Sequence, residues 1–153
     1  LMISLGYPSM EEELAIVENQ RANHPIDNLE PVVDPEDIIS LQNTTRRIYV
    51  DDLIKRYIVA VIKATRNHPD ISLGASPRGS LSLYRGSQAM ALVRGRDFAL
   101  PDDVKSLARP MLTHRIIVSA AAKMRGVRSN DVVDQLLDEV PVPGAEVRKQ
   151  TGG

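Results

Sequence analysis

Apolar residues recur with a helical period along most of the chain, and this pattern predicts a mainly α-helical protein. The broadest apolar stripe runs from Asp51 to about Arg66, where Val59 and Ala60 widen a face that repeats every three or four positions. We therefore expect this helix to lie at the centre of a helical bundle. Narrower stripes predict further helices over residues 9–23, from Asp34 to Gln42–Asn43, over 76–95, from Leu100 to Leu112 and from Ser129 to Val140.

Two of the predicted helices begin with clear capping sequences. Ser9 and Glu12 have the spacing of a capping box, in which each side chain bonds the backbone N–H of the other residue. Ser76 stands directly before Pro77, and proline is well tolerated at the first helical position. We expect the Ser76 hydroxyl to accept a hydrogen bond from a free N–H in the first turn that follows.

Two short β-prone runs interrupt the helical pattern. Ile48–Val50 and Ile116–Val118 are the comparable runs of apolar and β-branched residues, and the sequence predicts that they pair as a short two-stranded sheet. Residues 24–33 and 67–75 are predicted loops. The predicted class is therefore mainly α with one short β pair.

Composition and charge exclude several classes of protein. The 153 residues include 19 basic and 20 acidic side chains, and this balance disfavours a general nucleic-acid binder. The chain has no cysteine, so disulfides, thiolate metal sites and cysteine nucleophiles are excluded. No apolar run is long enough to cross a bilayer, and no signal peptide opens the sequence. Because the chain reads as structured sequence from its first residues, we expect a piece of a longer protein.

Arg78 is the candidate with the clearest chemistry. It falls in the first turn of a predicted helix, at the positive end of the helix dipole, where a cation is unfavourable unless an anion lies opposite. Free N–H groups and a guanidinium fork together favour a phosphate site. The alternative is that Arg78 points into water or pairs with a carboxylate. A P-loop is excluded because Ser80 occupies its lysine position, and a hydrolase nucleophile elbow is excluded because Arg78 replaces its glycine.

The other charged groups carry weaker signals. The histidines are far apart and lack the spacing of zinc ligands, so no metal site is predicted: His24, His68 and His114. The acidic groups fall at helix starts, where capping explains them: Asp34, Asp51–Asp52 and Asp102–Asp103. The basic clusters are either solvated or face an anion or a neighbouring subunit: Arg46–Arg47 and Arg94 with Arg96.

Several runs together resemble the C-terminal lid of the MoxR-type AAA+ ATPases. Gly6–Pro8 resembles the join between the nucleotide-binding core and the lid of that family. The resemblance covers nearly the whole chain in the family's order, and its most specific part is the Ser-Pro-Arg block. The remaining runs that carry it are Ala64–Arg66, Leu73–Gly79, Gly95–Phe98, Pro101–Val104, His114–Arg115 and Val140–Pro143.

The resemblance implies a role in nucleotide sensing. In the family, the arginine that matches Arg78 reaches from the lid to the γ-phosphate of ATP bound by the core, and it is the one catalytic residue expected here. Pro77, Tyr7 and Pro8 are the further nucleotide-contact residues that the resemblance implies. ATP and Mg²⁺ would be bound mainly by the core, because the chain contains no Walker A lysine and no Walker B acids. The fragment is therefore not expected to hydrolyse ATP alone.

The resemblance also implies an organisation and a set of partners. Residues 1–8 are expected to be a hinge, 9–143 the helical lid and 144–153 a flexible tail. The expected partners are a preceding core domain, neighbouring subunits of a hexameric ring and a von Willebrand factor A-domain protein, with a chaperone-like role in the cytoplasm. Nucleic acid and membrane are not expected partners. The alternative function is a helical protein-interaction module without a nucleotide role, and a DNA-binding helical domain is disfavoured by the charge balance.

Overall fold

The computed structural model describes residues 1–20 and 24–142, and the predicted tail at 144–153 lies outside them. Helices dominate this part of the chain, as the apolar periodicity predicts. A short 3₁₀-helix, Pro25–Asn28, lies between the first two α-helices. The α-helices and strands of the described residues are α1 Met10–Asn19, α2 Pro35–Arg47, α3 Asp52–Asn67, β1 Ile71–Leu73, α4 Pro77–Val93, α5 Pro101–Leu112, β2 Ile117–Val118, α6 Ala120–Met124 and α7 Ser129–Glu139.

The chain divides into two compact units, of which the smaller is Ile3–Leu41. Every residue of this unit whose burial the structure describes is exposed. The predicted capping box is confirmed: the Ser9 N–H donates to Glu12 Oε2 at 2.8 Å, and the Glu12 N–H donates to Ser9 Oγ at 3.3 Å. Helix α1 ends at Asn19, earlier than expected, because its apolar spacing stops at Val17 and asparagine is a weak helix former.

The larger unit comprises Leu1–Met2 and the chain from Gln42 onward. Helix α2 reaches into it and ends at Arg47, not at Gln42–Asn43 as the sequence predicts. The buried amide of Gln88 explains the extension, because its Nε2 donates to the carbonyl oxygens of Arg46 at 3.5 Å and Ile48 at 2.9 Å. Carbonyl groups at a helix end need such partners.

Helix α3 is central to the larger unit, as predicted. It packs against α4, α5, α7 and β1. Its inward face consists of buried aliphatic and aromatic side chains, and Val61 has no exposed surface. The buried residues of the surrounding core include Leu83 and Ala91 from α4, and Val104, Ala108 and Leu112 from α5.

The predicted strand pairing is wrong in its partner. Ile117–Val118 does form a strand, but it pairs antiparallel with Ile71–Leu73, which the sequence places in a loop. Residues Ile48–Val50 instead bring Tyr49 into a parallel bridge with Phe98. The side chains of Ile48 and Val50 lie buried in the helical core, so their apolar character serves packing and not a sheet.

Gly79 and Gly86 lie where α4 approaches its neighbours closely. A Cβ on Gly79 would lie 3.0 Å from Ile62 Cδ1, and a Cβ on Gly86 would lie 2.4 Å from Met111 Cε and 3.0 Å from Leu107 Cδ1. Real Cβ atoms rarely approach other atoms so closely. Both glycines therefore allow α4 to pack tightly against α3 and α5.

Candidate functional site

The turn before α4 is held by two consecutive residues of α3. The Ala75 N–H donates to Thr65 Oγ1 at 2.9 Å, and the Thr65 hydroxyl donates to the Ile62 carbonyl at 2.7 Å. On the other side of the same residue, Arg66 Nε donates to the Ala75 carbonyl at 2.9 Å. Ala75 and Thr65 have no exposed surface. Both polar backbone groups of Ala75 are therefore paired with α3, and the start of α4 is fixed relative to the core.

Gly74 makes this close approach possible. A Cβ at this position would lie 2.7 Å from Arg66 Cα and Cγ and 2.8 Å from the Arg66 nitrogen. Two of these three atoms belong to the backbone of α3 and cannot move aside without displacing the helix. Glycine is required here by space and not by a left-handed backbone, which the structure assigns to Gly6, Gly95 and Gly126.

Ser76 is the N-cap of α4, but its hydroxyl does not make the expected capping bond. Its backbone is extended, with φ −74° and ψ 169°, and Pro77 occupies the first helical position as predicted. The first turn closes instead through the backbone, since the Gly79 N–H donates to the Ser76 carbonyl at 2.8 Å. The expectation of a side-chain cap is therefore wrong.

Arg78 follows in the first turn of α4, and its side chain is exposed. Among residues 1–20 and 24–142 it has no hydrogen bond, ion pair or ring contact, and the first turn contains no acidic residue. The alternative in which Arg78 pairs with a carboxylate is not observed in this part of the chain. The guanidinium is thus open to an anion from outside.

The other sequence-predicted nucleotide-contact residues are distributed over both units. Pro77 lies beside Arg78 and is exposed. Tyr7 and Pro8 belong to the smaller unit, where they precede α1 and are exposed. The structure therefore groups Pro77 with Arg78 on one turn.

Arg94 and Arg96 face an anion, as one of the sequence interpretations allows, and that anion is a carboxylate of their own chain. Arg94 Nη1 lies 2.8 Å and Arg96 Nη2 lies 2.6 Å from Asp103 Oδ1. The other oxygen, Oδ2, accepts the Leu100 N–H at 2.8 Å. Asp103 is fully buried. The predicted capping role of this acid is confirmed, and the structure adds the two arginines to it.

The pKa of the Asp103 carboxyl reflects these partners. Burial by itself would raise this pKa, but the hydrogen bonds from Arg96 and the Leu100 N–H, with the charges of Arg96 and Arg94, lower it below its ordinary value of 3.8. A lowered pKa in the folded state means that the carboxylate contributes stability above the unfolded-state pKa. That contribution is lost as the pH falls through the lowered value.

We expect this linkage to appear as a pH-dependent difference between wild type and Asp103→Asn. The difference in free energy of unfolding should be constant above about pH 5 and shrink as the pH falls below about 4, because protonation removes the charge that the variant already lacks. Urea unfolding of both proteins at fixed ionic strength measures it. A difference that stays constant into acid would contradict the assignment.

The second basic cluster has a different environment. Arg46 lines an open groove of about 380 Å³ together with Arg85, Gln42 and Ala89. The prediction that Arg46 and Arg47 face an anion or a neighbouring subunit stays a prediction.

His24 and His68 each accept a hydrogen bond from a backbone N–H two residues further along the chain. His24 Nδ1 accepts the Ile26 N–H at 3.2 Å, and His68 Nδ1 accepts the Asp70 N–H at 3.1 Å. Over the described ranges, no group of three or more His, Asp or Glu side chains is arranged to hold a metal ion. Likewise, no helix within them is both long and apolar enough to span a membrane.

Thr65 and Arg66 are the residues that sequence reasoning missed as supports of the site. Arg66 belongs to one of the runs that carry the family resemblance, but the sequence assigns it no role. Its partner Ala75 is nine residues away, and Thr65 is ten residues from the same alanine. Helical periodicity gives no signal for contacts made across a chain reversal. The steric demand for glycine at position 74 is likewise a property of the folded chain.

Comparison with known proteins identifies the kind of domain. Residues 63–136 match the AAA lid domain family. The chain is 43% identical over 141 residues to the uncharacterized protein YeaC of Bacillus subtilis, an alignment covering 92% of this chain and 44% of that protein. It is 30% identical over 159 residues to the chaperone MoxR1 of Mycobacterium tuberculosis, covering 98% of this chain and 42% of that protein.

A solved structure agrees with these relatives. A candidate ATPase from Cytophaga hutchinsonii matches with a TM-score of 0.77 and 28% identity, over 92% of this chain and 45% of that one. The chain thus spans less than half the length of the proteins that it resembles. Each match extends over the turn and the helix that carry Arg78.

Proposed function

Because this chain belongs to the C-terminal lid domains of the MoxR-type AAA+ ATPases, we propose that it closes over Mg-ATP held by a preceding core domain and supplies Arg78 to the γ-phosphate. The observation that carries the proposal is the state of Arg78. Its side chain is exposed and has no partner among the described residues, yet the turn before it is hydrogen-bonded on both sides to α3.

The electrostatics of the helix start favour this role. The helix dipole makes a cation in the first turn of α4 unfavourable, and that turn has no acidic residue to offset the effect. A bound phosphate reverses both effects, because it accepts charge-assisted hydrogen bonds from the guanidinium and interacts favourably with the dipole. Stabilising the negative charge that spreads over the transferred phosphoryl oxygens lowers the barrier to hydrolysis.

The remaining expectations belong to the same proposal. Residues 1–8 act as the hinge from the core, residues 9–143 as the lid and residues 144–153 as the tail. Tyr7, Pro8 and Pro77 lie near the bound nucleotide. ATP and Mg²⁺ are held mainly by the core, and the lid moves relative to that core when phosphate leaves.

We also propose that the full-length protein assembles in the cytoplasm as a ring of subunits, which we expect to be a hexamer. The ring would have a chaperone-like remodelling role. A von Willebrand factor A-domain protein is the proposed partner. One relative, MoxR1 of Mycobacterium tuberculosis, is itself called a chaperone.

The test is Arg78→Ala in the full-length protein that contains this chain. A hydrogen bond to a charged group contributes about 1.5–3 kcal/mol, so we expect ATP turnover at saturating ATP to fall about tenfold to a hundredfold. Steady-state phosphate release measures turnover, and sedimentation confirms that assembly is intact. Arg85→Ala is the matched control, because Arg85 is an exposed arginine of the same helix.

Unchanged turnover in Arg78→Ala, with the assembly preserved, would sink the proposal. It would favour the second candidate function, a helical protein-interaction module without a nucleotide role. One observation favours this candidate, an open groove of about 330 Å³. Its lining includes Tyr49, Leu53, Phe98, Leu100 and Pro101.

A further inference from the structure

Arg66 is an exposed arginine whose hydrogen bond reaches a buried backbone group. Its Nε donates to the carbonyl of Ala75 at 2.9 Å, and Ala75 has no exposed surface. Among the described residues, no other donor reaches that carbonyl. A buried carbonyl without a donor is costly, so the turn must either keep this bond or move to find water.

We propose that Arg66 is a positioning residue for Arg78, acting through the Ala75 carbonyl. The inference rests on the proposed function of Arg78 as the residue that meets the γ-phosphate. Ala75 lies three residues before Arg78, so any shift of its carbonyl changes where α4 begins and in which direction its first turn points.

Two other contacts hold this turn, and the Arg66 side chain is the part of the support that can adjust. Thr65 holds the N–H of the same alanine from inside the core, and Gly74 lies against the backbone of Arg66 with no space for a Cβ. These two contacts keep the turn close to α3. The bond from Arg66 then fixes the orientation of the peptide that leads into Ser76 and Pro77.

A pair of nearly isosteric variants separates the hydrogen bond of Arg66 from its charge. Glutamine carries Nε2 after the same number of side-chain atoms as the Nε of arginine, so Arg66→Gln keeps a donor within reach of the Ala75 carbonyl but removes the charge. Arg66→Met removes both. In the full-length protein we expect Arg66→Met to lower kcat about fivefold with little change in KM for ATP, and Arg66→Gln to restore most of the loss.

Lys63→Met is the control, because it removes a cation from an exposed position of the same helix. Its kcat should match that of wild type. Equal losses in the Gln and Met variants would mean that the charge of Arg66 acts directly, and this would overturn the positioning role. Wild-type kcat in Arg66→Met would overturn it as well.

A second measurement separates failure of this inference from failure of the proposed function. In an Arg78→Ala background, Arg66→Met should cause no further loss of kcat, whereas a further fivefold loss would show that Arg66 acts independently of Arg78. Amide hydrogen exchange of residues 75–80 should be faster in Arg66→Met than in Arg66→Gln. If Arg78→Ala leaves turnover unchanged, the proposed function fails, and the exchange rates still decide whether Arg66 orders the turn.

Discussion

Asp103→Ala is expected to lower the free energy of unfolding of the 153-residue chain by about 3 kcal/mol. The carboxylate is fully buried and accepts bonds from Arg94, Arg96 and the Leu100 N–H. Alanine leaves all three donors without their acceptor. The loss stays toward the lower end for a broken buried ion pair, because the Arg94 side chain is 43% exposed and returns to water easily.

Equilibrium urea unfolding followed by circular dichroism measures this change, and the thermal midpoint should fall by about 10 °C. Asp102→Ala is the matched control, since Asp102 is the exposed neighbour in the same first turn. It should change the free energy of unfolding by less than about 1 kcal/mol. Equal effects of the two substitutions would show that the buried cluster contributes no more than a charge near a helix start.

Gly74→Ala is the second substitution with a large expected effect. The added Cβ would lie 2.7–2.8 Å from backbone atoms of Arg66, so either α3 or the turn must move. We expect a loss of about 2–3 kcal/mol in the free energy of unfolding, since overpacking against backbone is not relieved by a rotamer change. The same displacement moves Arg78, so turnover of the full-length protein should fall as well.

Gly86→Ala provides the comparison for Gly74→Ala. Its Cβ would meet side-chain atoms of Met111 and Leu107, and the flexible end of a methionine side chain moves at low cost. The expected loss of stability is therefore smaller than at position 74. If Gly74→Ala proved no more destabilising than Gly86→Ala, the contact between Gly74 and the backbone of α3 would be one that relaxes at low cost.

Features that depend on neighbouring residues in the sequence could be predicted. The period of apolar residues in α3 defines both the helix and its buried face, and the Ser9–Glu12 capping box is complete within four residues. The position of Arg78 in a first turn follows in the same way from Ser76 and Pro77. These elements are decided by local geometry, which the sequence contains.

Features that depend on partners far along the chain could not be predicted. The strand Ile117–Val118 was recognisable by its composition, but Ile71–Leu73 became its partner because the chain reverses after α3. Asp103 could be identified as a capping acid but not as the partner of Arg94 and Arg96. The contacts of Asp103 depend on how α4 packs against α5, and no helical period encodes them.

The same distinction between local and distant contacts applies to the candidate site. Arg78 could be singled out as a candidate anion contact, because a cation at a helix start is unfavourable unless an anion lies opposite. Its support by Thr65 and Arg66 could not, because it depends on two hydrogen bonds to one residue nine and ten positions away.

The double attachment of Ala75 has a mechanical consequence. The turn that leads into Arg78 is hydrogen-bonded to α3, the central helix of its unit, so this turn cannot move independently of α3. If Arg78 meets a phosphate as proposed, moving this turn away from the phosphate would displace α3, α4 and α5 together, and the displacement would reach any molecule that contacts them.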